Sequence, residues 1–336
     1  MIKNGVKRGV NQTSSNHLDV VIVGGGPTGI NCGIECQKAG LNYIIVEKGV
    51  IVNSIYNFPF NMTFFSTSKK LEIGEVPFIS HNEKPTRSEA LEYYRRLVES
   101  YDLSIMLGKE VISISQEKNL HKISLNDNED FFAKNVIIAT GFYDNPRLLN
   151  IPGENLSKVK HYYDDVHLYV KKDVVVVGGA NSACDVALEC WQKGANVTMV
   201  VREPELYQKV KYWILPNIEN RIKEGSIKAF FNSKLTEIKE GVVVVETPSG
   251  IISLENDYVL AMTGYMPDLS WIKSLGIDLN NNDERAYINA ETLESNVPGI
   301  YLAGVVVSGL KTSELFIENT RNHPEIIVGS ILQKNS

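Results

Sequence analysis

The strongest constraint on this chain is a segment that it carries twice. Asp19-Val-Val-Ile-Val-Gly-Gly-Gly-Pro-Thr-Gly29 is a run of β-branched residues ending in glycines, and Asp173-Val-Val-Val-Val-Gly-Gly-Ala-Asn-Ser-Ala183 has the same shape. β-Branched residues favour strands, and glycines after such a run allow a turn tight enough to launch a helix. Each copy continues as a helical segment, a glycine (Gly40, Gly194) and a second apolar strand over 43–46 or 197–201. Strand, turn, helix and strand, twice, make two βαβ units. The expected fold is therefore α/β with two Rossmann-like dinucleotide-binding domains.

Two further strands end alike, Val136-Ile-Ile-Ala-Thr-Gly141 and Tyr258-Val-Leu-Ala-Met-Thr-Gly264, with Pro146 and Pro267 close behind. They mark the crossings between domains, so the second unit is inserted into the first. The expected organisation is an N-terminal tail over 1–17, a first domain over 18–154 and 267–336, and an inserted domain over 155–266. A length of 336 residues suits two domains. The spacing of apolar residues predicts a helix over 88–101, and antiparallel hairpins over 110–115 with 122–125 and over 242–246 with 251–254.

In the first loop, Gly24 permits the turn, Gly26 admits a pyrophosphate close to the backbone, and Gly29 lets helix and strand pack. The helix start presents free N–H groups and the positive end of its dipole. Glu47 ends the next strand, 23 residues after Gly24, where a carboxylate accepts both hydroxyls of an unphosphorylated ribose. FAD or NAD is expected there, held by Gly24, Gly26, Pro27, Thr28, Gly29, Glu47, Lys48 and Val111. Thr140 and Gly141, with Gly304 and Val305, close the site.

The second loop, Gly178-Gly179-Ala180-Asn181-Ser182-Ala183, is looser, with alanines at its middle and last glycine positions. Arg202 follows the next strand and suits a 2′-phosphate, so NADPH is expected there, on Gly178, Gly179, Asn181, Ser182, Arg202 and Lys211. Glu203, the next residue, would serve a ribose hydroxyl instead. FAD in one domain and NADPH in the other imply an oxidoreductase that passes a hydride from nicotinamide to flavin and electrons onward.

Composition narrows the rest. A net charge of −6 without a basic block argues against nucleic-acid binding and against a polybasic membrane patch. No run of apolar residues is long enough to span a bilayer, and 1–17 lacks the apolar core of a secretory signal, so a cytoplasmic protein is expected. Its four cysteines, Cys32, Cys36, Cys184 and Cys190, form neither Cys-x-x-Cys nor Cys-x4-Cys. All fall on predicted helices as small apolar residues. Only Cys32, one turn past the first loop, has a functional alternative.

Together, Ile55-Tyr-Asn-Phe-Pro59, Thr63-Phe-Phe-Ser66, Ile73-Gly-Glu-Val-Pro-Phe78, Gly178-Gly-x-Asn-Ser-Ala183, Trp213-Ile-Leu-Pro-Asn217 and Phe316-Ile-Glu-Asn319 resemble the YpdA-type bacillithiol-disulfide reductases, thioredoxin-reductase-like flavoproteins. The resemblance implies FAD, NADPH, a cytoplasmic homo-oligomer and a low-molecular-weight disulfide as acceptor. Val305 stands where most thioredoxin reductases have an aspartate, and the YpdA-type group also tends to an apolar residue there. One departure matters more. Bacillar members carry a cysteine where this chain has Thr28, and a hydroxyl cannot form a mixed disulfide. The flavin then reduces the acceptor directly, Cys32 substitutes, or the acceptor is no disulfide. The rival classes are a flavin monooxygenase or oxidase, an NADPH–ferredoxin or flavodoxin reductase, and a redox sensor that binds both cofactors. A last helix starting near Thr312 is expected to aim its N-terminus at the flavin.

Overall fold

The computed structural model describes residues 17–335. Of the expected tail, 1–16 lie outside the described residues, and His17 already belongs to the first strand, its ring stacked on Phe132. The chain opens with β1 (His17–Val23), α1 (Pro27–Lys38) and β2 (Tyr43–Glu47). Val20, Val21 and Ile22 are wholly buried, as strand residues covered on both faces should be. Two single turns, α2 (Asn53–Tyr56) and α3 (Ser68–Leu71), precede α4 (Arg87–Ser100). Thr86 starts α4 through a capping box: its hydroxyl accepts from the Glu89 N–H at 3.3 Å, and Glu89 accepts from the Thr86 N–H at 2.8 Å.

β3 (Ile105–Leu107), β4 (Val111–Glu117), β5 (Leu120–Leu125) and β6 (Asp130–Ile138) follow. The expected β4–β5 hairpin forms, but β6 pairs antiparallel with β5 and parallel with β1, so the hairpin joins the main sheet instead of decorating it. The chain then crosses by β7 (Asn145–Pro146) to a second sheet. That region holds β8 (Val159–Lys160), β9 (Asp173–Val177), α5 (Asn181–Gln192), β10 (Asn196–Val200), α6 (Leu215–Lys223) and β11 (Lys228–Phe230). A three-stranded antiparallel sheet of β12 (Lys234–Ile238), β13 (Val242–Thr247) and β14 (Gly250–Glu255) precedes β15 (Tyr258–Ala261). β16 (Tyr265–Met266) pairs antiparallel with β7, so the outward and return crossings run side by side. After α7 (Leu269–Ser274), β17 (Ile300–Leu302) pairs with β6 in the first sheet, and α8 (His323–Asn335) packs on α1.

The first sheet has the order β3-β2-β1-β6-β5-β4, with β17 also on β6; the second runs β11-β10-β9-β15-β8. The carboxyl ends of the parallel strands are level. Val23 pairs with Val46 and with Ile138, and Ile138 with Leu302. In open α/β sheets, ligands bind at that edge. The last helix begins at His323, eleven residues later than expected near Thr312. A 3-10 turn over Ile317–Asn319 intervenes. The Asn319 side chain accepts from the Phe316 N–H at 2.7 Å and donates to the Glu314 carbonyl at 2.8 Å, closing a local turn that competes with a helix.

Candidate active site

The first glycine loop is shaped by close packing. Gly24 has φ +109°, and a Cβ there would lie 2.5 Å from the Ala139 carbonyl oxygen. A Cβ on Gly29 would lie 1.8 Å from the Gly24 carbonyl oxygen. Beside Gly26 there is open space, with no atom within 4 Å of an added Cβ. Gly26 is the N-cap of α1, and no side chain caps that helix. The loop thus leaves a cradle lined with unpaired N–H groups, which fits a dinucleotide pyrophosphate. Glu47 is buried at the end of β2. Its carboxylate accepts from the Gly25 N–H at 2.6 Å and the Gly49 N–H at 2.7 Å. Burial raises its pKa against the pull of these two amides.

A cavity of about 820 Å³ opens from this loop, lined by Gly24, Gly26, Pro27, Thr28, Glu47, Lys48 and Val111. Thr140, Gly141 and Val305 line it too, and a Cβ on Gly141 would be in ordinary contact with Val305 at 3.9 Å. Lys48 pairs with Asp144 at 3.0 Å, joining the loop after β2 to the strand crossing. Gly29 and Gly304 do not line the cavity; they are packing glycines. Gly304 has φ +79°, and a Cβ there would lie 2.6 Å from the Thr28 hydroxyl. The Gly304 N–H donates to His323 Nδ1 at 3.1 Å, and burial lowers the His323 pKa, which favours the neutral acceptor ring.

The second glycine loop faces the same cavity through Asn181 and Ser182. Gly178 and Gly179 lie behind it. A Cβ would meet the Met262 carbonyl oxygen at 2.6 Å from Gly178, and Val201 at 2.7 Å from Gly179. α5 starts at Ala180 without a side-chain cap, so this loop also fits a dinucleotide phosphate. Lys211 and Arg202, expected together, are apart. The Lys211 ammonium donates to Asp185 at 2.7 Å and to the Thr63 carbonyl at 3.5 Å, with its side chain 12% exposed. It lines the same cavity, where it ties the second sheet's loop to the segment at Thr63. Arg202 is 83% exposed, outside the cavity lining, and paired with Glu203 at 2.7 Å.

Several cavity residues escaped the sequence reading. Asp185 and Glu189 lie one and two turns into α5, where spacing alone reads as a solvated face. Instead Glu189 accepts from Asn61 at 2.8 Å and from the Tyr163 hydroxyl at 2.9 Å. Trp213 stacks on Phe65 at 5.8 Å, with the Lys84 ammonium 3.8 Å from the Trp213 ring centre. The Trp213 and Phe316 motif segments were the available signal, since both reach the cavity. Phe58, Phe64 and Phe65, from the motif segments over 55–59 and 63–66, line it, whereas nearby Phe60 is exposed over Arg87. Cys32, Cys36, Cys184 and Cys190 are all buried and free. Cys32 faces the core and does not line the cavity, and burial holds its thiol pKa well above the usual range. Reactive cysteines are partly exposed with depressed pKa values, so the geometry speaks against Cys32 as a substitute thiol.

Two sheets with parallel cores, each offering a glycine loop and a free helix start to one cavity, define a two-dinucleotide oxidoreductase. A family model for pyridine nucleotide-disulphide oxidoreductases matches residues 21–304. Bacilliredoxin reductase Bdr of Bacillus subtilis (strain 168) is 40% identical, over 94% of this chain and 98% of that protein. The solved bacillithiol disulfide reductases Bdr (YpdA) of Bacillus cereus and Staphylococcus aureus are each 39% identical, with TM-score 0.92, covering 95% of this chain and 99% of theirs. The chain belongs to the pyridine nucleotide-disulphide oxidoreductase family. It is an oxidoreductase working with FAD and a reduced nicotinamide dinucleotide, and the YpdA-type resemblance of its motifs is borne out. Among the described residues, no helix is long and apolar enough to cross a membrane.

Proposed function

We propose that this chain is a cytoplasmic, homo-oligomeric reductase of a low-molecular-weight disulfide of the bacillithiol type. NADPH is its electron donor, and no protein thiol takes part. The observation that carries this reading is the single cavity shared by both glycine loops, reached by none of the four cysteines. The overall change is disulfide plus NADPH plus a proton to two thiols and NADP⁺. FAD, when bound, supplies a two-electron relay between nicotinamide and disulfide.

The protein's own residues supply position and exclusion of water. Gly26 and the start of α1 would take the FAD pyrophosphate, and Glu47 the ribose. The start of α5, with Asn181 and Ser182, would take the NADPH phosphates, and Arg202 the 2′-phosphate. The first domain of this reading spans 18–154 and 267–336 and holds FAD; the second, 155–266, holds NADPH. Phe64, Phe65 and Trp213 give the cavity an apolar wall. Thr28, where bacillar relatives of the resemblance carry cysteine, packs its side chain against Gly304. It offers a hydroxyl to the bound cofactor and no sulfur to the acceptor.

The test is NADPH oxidation by the purified yellow protein under argon, with and without bacillithiol disulfide. Oxidation is expected only with the disulfide. Iodoacetamide treatment of the native enzyme, and Cys32→Ala, are each expected to leave at least half of kcat. Loss of activity by both routes would place a thiol in the reaction. Oxidation that needs oxygen and ignores the disulfide would favour a monooxygenase or oxidase.

A further inference from the structure

The acidic residue beside Arg202 has no part in the reading above. Arg202 follows β10, whose carboxyl end lies level with that of β9, Val200 pairing with Val177. In this fold, the side chains just past that strand face the ribose of the dinucleotide held by the glycine loop. The backbone there is pinned. Val201 donates to the Phe230 carbonyl at 2.8 Å, Ser233 to the Val201 carbonyl at 3.0 Å, and Asn232 to the Glu203 carbonyl at 3.0 Å. Pro204 fixes the next step of the chain, and the Tyr207 N–H donates to the Gly179 carbonyl at 2.9 Å, drawing the segment back over the glycine turn. Glu203 is thereby held against Arg202. Both Nε and Nη2 of the guanidinium donate to the same Glu203 oxygen, at 3.1 and 2.7 Å. The segment 202–209 carries Arg202 and Lys209 against Glu203 and Glu205, so its formal charge is zero.

We propose that Glu203 is a specificity-determining residue that narrows the preference for NADPH over NADH. The inference rests on the donor reading given above. A 2′-phosphate that takes the Nε and Nη2 edge of Arg202 must displace the Glu203 carboxylate, and one that takes Nη1 instead sits beside that negative charge. A bare 2′-hydroxyl finds in the same carboxylate an acceptor, as a ribose does in dinucleotide sites that end their strand in an acid. One side chain thus penalises the phosphorylated donor and accommodates the other. The enzyme is a dual-donor reductase in which Arg202 and Glu203 set the balance.

The experiment is anaerobic stopped-flow reduction of the holoenzyme flavin by NADPH and by NADH, followed by loss of the yellow absorbance. The wild type is expected to be reduced by both, with apparent second-order rate constants within about tenfold of one another. Glu203→Gln is expected to raise the NADPH to NADH ratio about tenfold, through tighter NADPH binding with an unchanged limiting rate. Arg202→Gln is expected to turn the preference toward NADH. The Glu203→Gln gain should shrink as salt is raised, because the pair is exposed and screened; a packing effect would be insensitive to salt. A wild-type ratio above about a thousand, or a ratio unmoved by Glu203→Gln, overturns the proposal while leaving the donor reading intact. Reduction by neither nucleotide overturns both.

Discussion

Gly26→Ala is expected to give a protein that folds as well as its parent and retains little FAD. Gly29→Ala, three residues on, is expected to fail at folding itself. The two positions differ in what a methyl group meets. Gly26 has φ −72° and ψ 179°, open to any residue, and an added Cβ meets nothing within 4 Å. The apo protein has no reason to object. The space the methyl fills is the cradle at the start of α1, so the cost falls on the pyrophosphate that must approach the backbone there. A Cβ on Gly29 meets the Gly24 carbonyl oxygen at 1.8 Å. That carbonyl cannot retreat, because the Gly24 N–H is bound to the Val46 carbonyl at 2.8 Å and the other side of Gly24 abuts Ala139. Overpacking of this kind costs about 3 kcal/mol or more. Flavin content after gel filtration and thermal unfolding of the apo protein check the pair. Gly26→Ala should lose at least about a hundredfold in FAD affinity, roughly 2.7 kcal/mol, with an unchanged apo midpoint. Full flavin retention by Gly26→Ala would remove FAD from this cradle.

What could be read from sequence divides along a physical line. The two sheets are written locally: β-branched runs, glycines at turns with positive φ, and an acid one βαβ unit later. Gly24, Gly178 and Glu47 follow from such short-range grammar, and the lengths of α1 and α5 follow from the strands they connect. Contacts across the cavity are different in kind. Lys211 meets Asp185 and Thr63, and the latter partner is 148 residues away in sequence. From sequence, Lys211 falls only beside Arg202, and its ties to Asp185 and Thr63 across the cavity were not legible. Asn61 with Glu189, and Phe65 with Trp213, escaped for the same reason. The start of the last helix was misplaced because Asn319 closes a local turn through its own side chain, a choice between two hydrogen-bonding schemes that apolar spacing does not report. The cysteines show the opposite case. Their helical positions suggested packing, and burial of all four agrees, which turns Thr28 from an oddity into a constraint on how electrons leave the flavin.

Glu47→Gln is expected to lower FAD affinity by one to two orders of magnitude while changing the pH dependence of apo stability in a defined direction. Both oxygens of the carboxylate already accept backbone amides, from Gly25 and Gly49, and the group still borders the cavity. Each carboxylate oxygen has a further lone pair, so the ribose hydroxyls of a bound dinucleotide have acceptors in place. Glutamine keeps one acceptor and puts a donor in place of the other. Either the Gly25 or the Gly49 N–H then faces an amide NH2, and the ribose loses a charged acceptor worth about 1.5–3 kcal/mol. The buried carboxyl has a raised pKa in the folded protein, mainly through desolvation, so the folded state holds that proton more tightly than the unfolded chain does. Its favourable contribution is complete below the unfolded value and is lost as pH rises through the folded one. Glutamine does not titrate. The apo variant should therefore be at its worst relative to the parent in acid, and should gain on it as pH rises across that window. Denaturant unfolding of both apo proteins from mildly acidic to neutral pH measures this, and titration with FAD measures the affinity. A stability difference independent of pH would mean that Glu47 carries no excess proton affinity in the fold. An unchanged FAD affinity would mean that its carboxylate serves only the two backbone amides, making it a brace of the loop and no part of the ribose site.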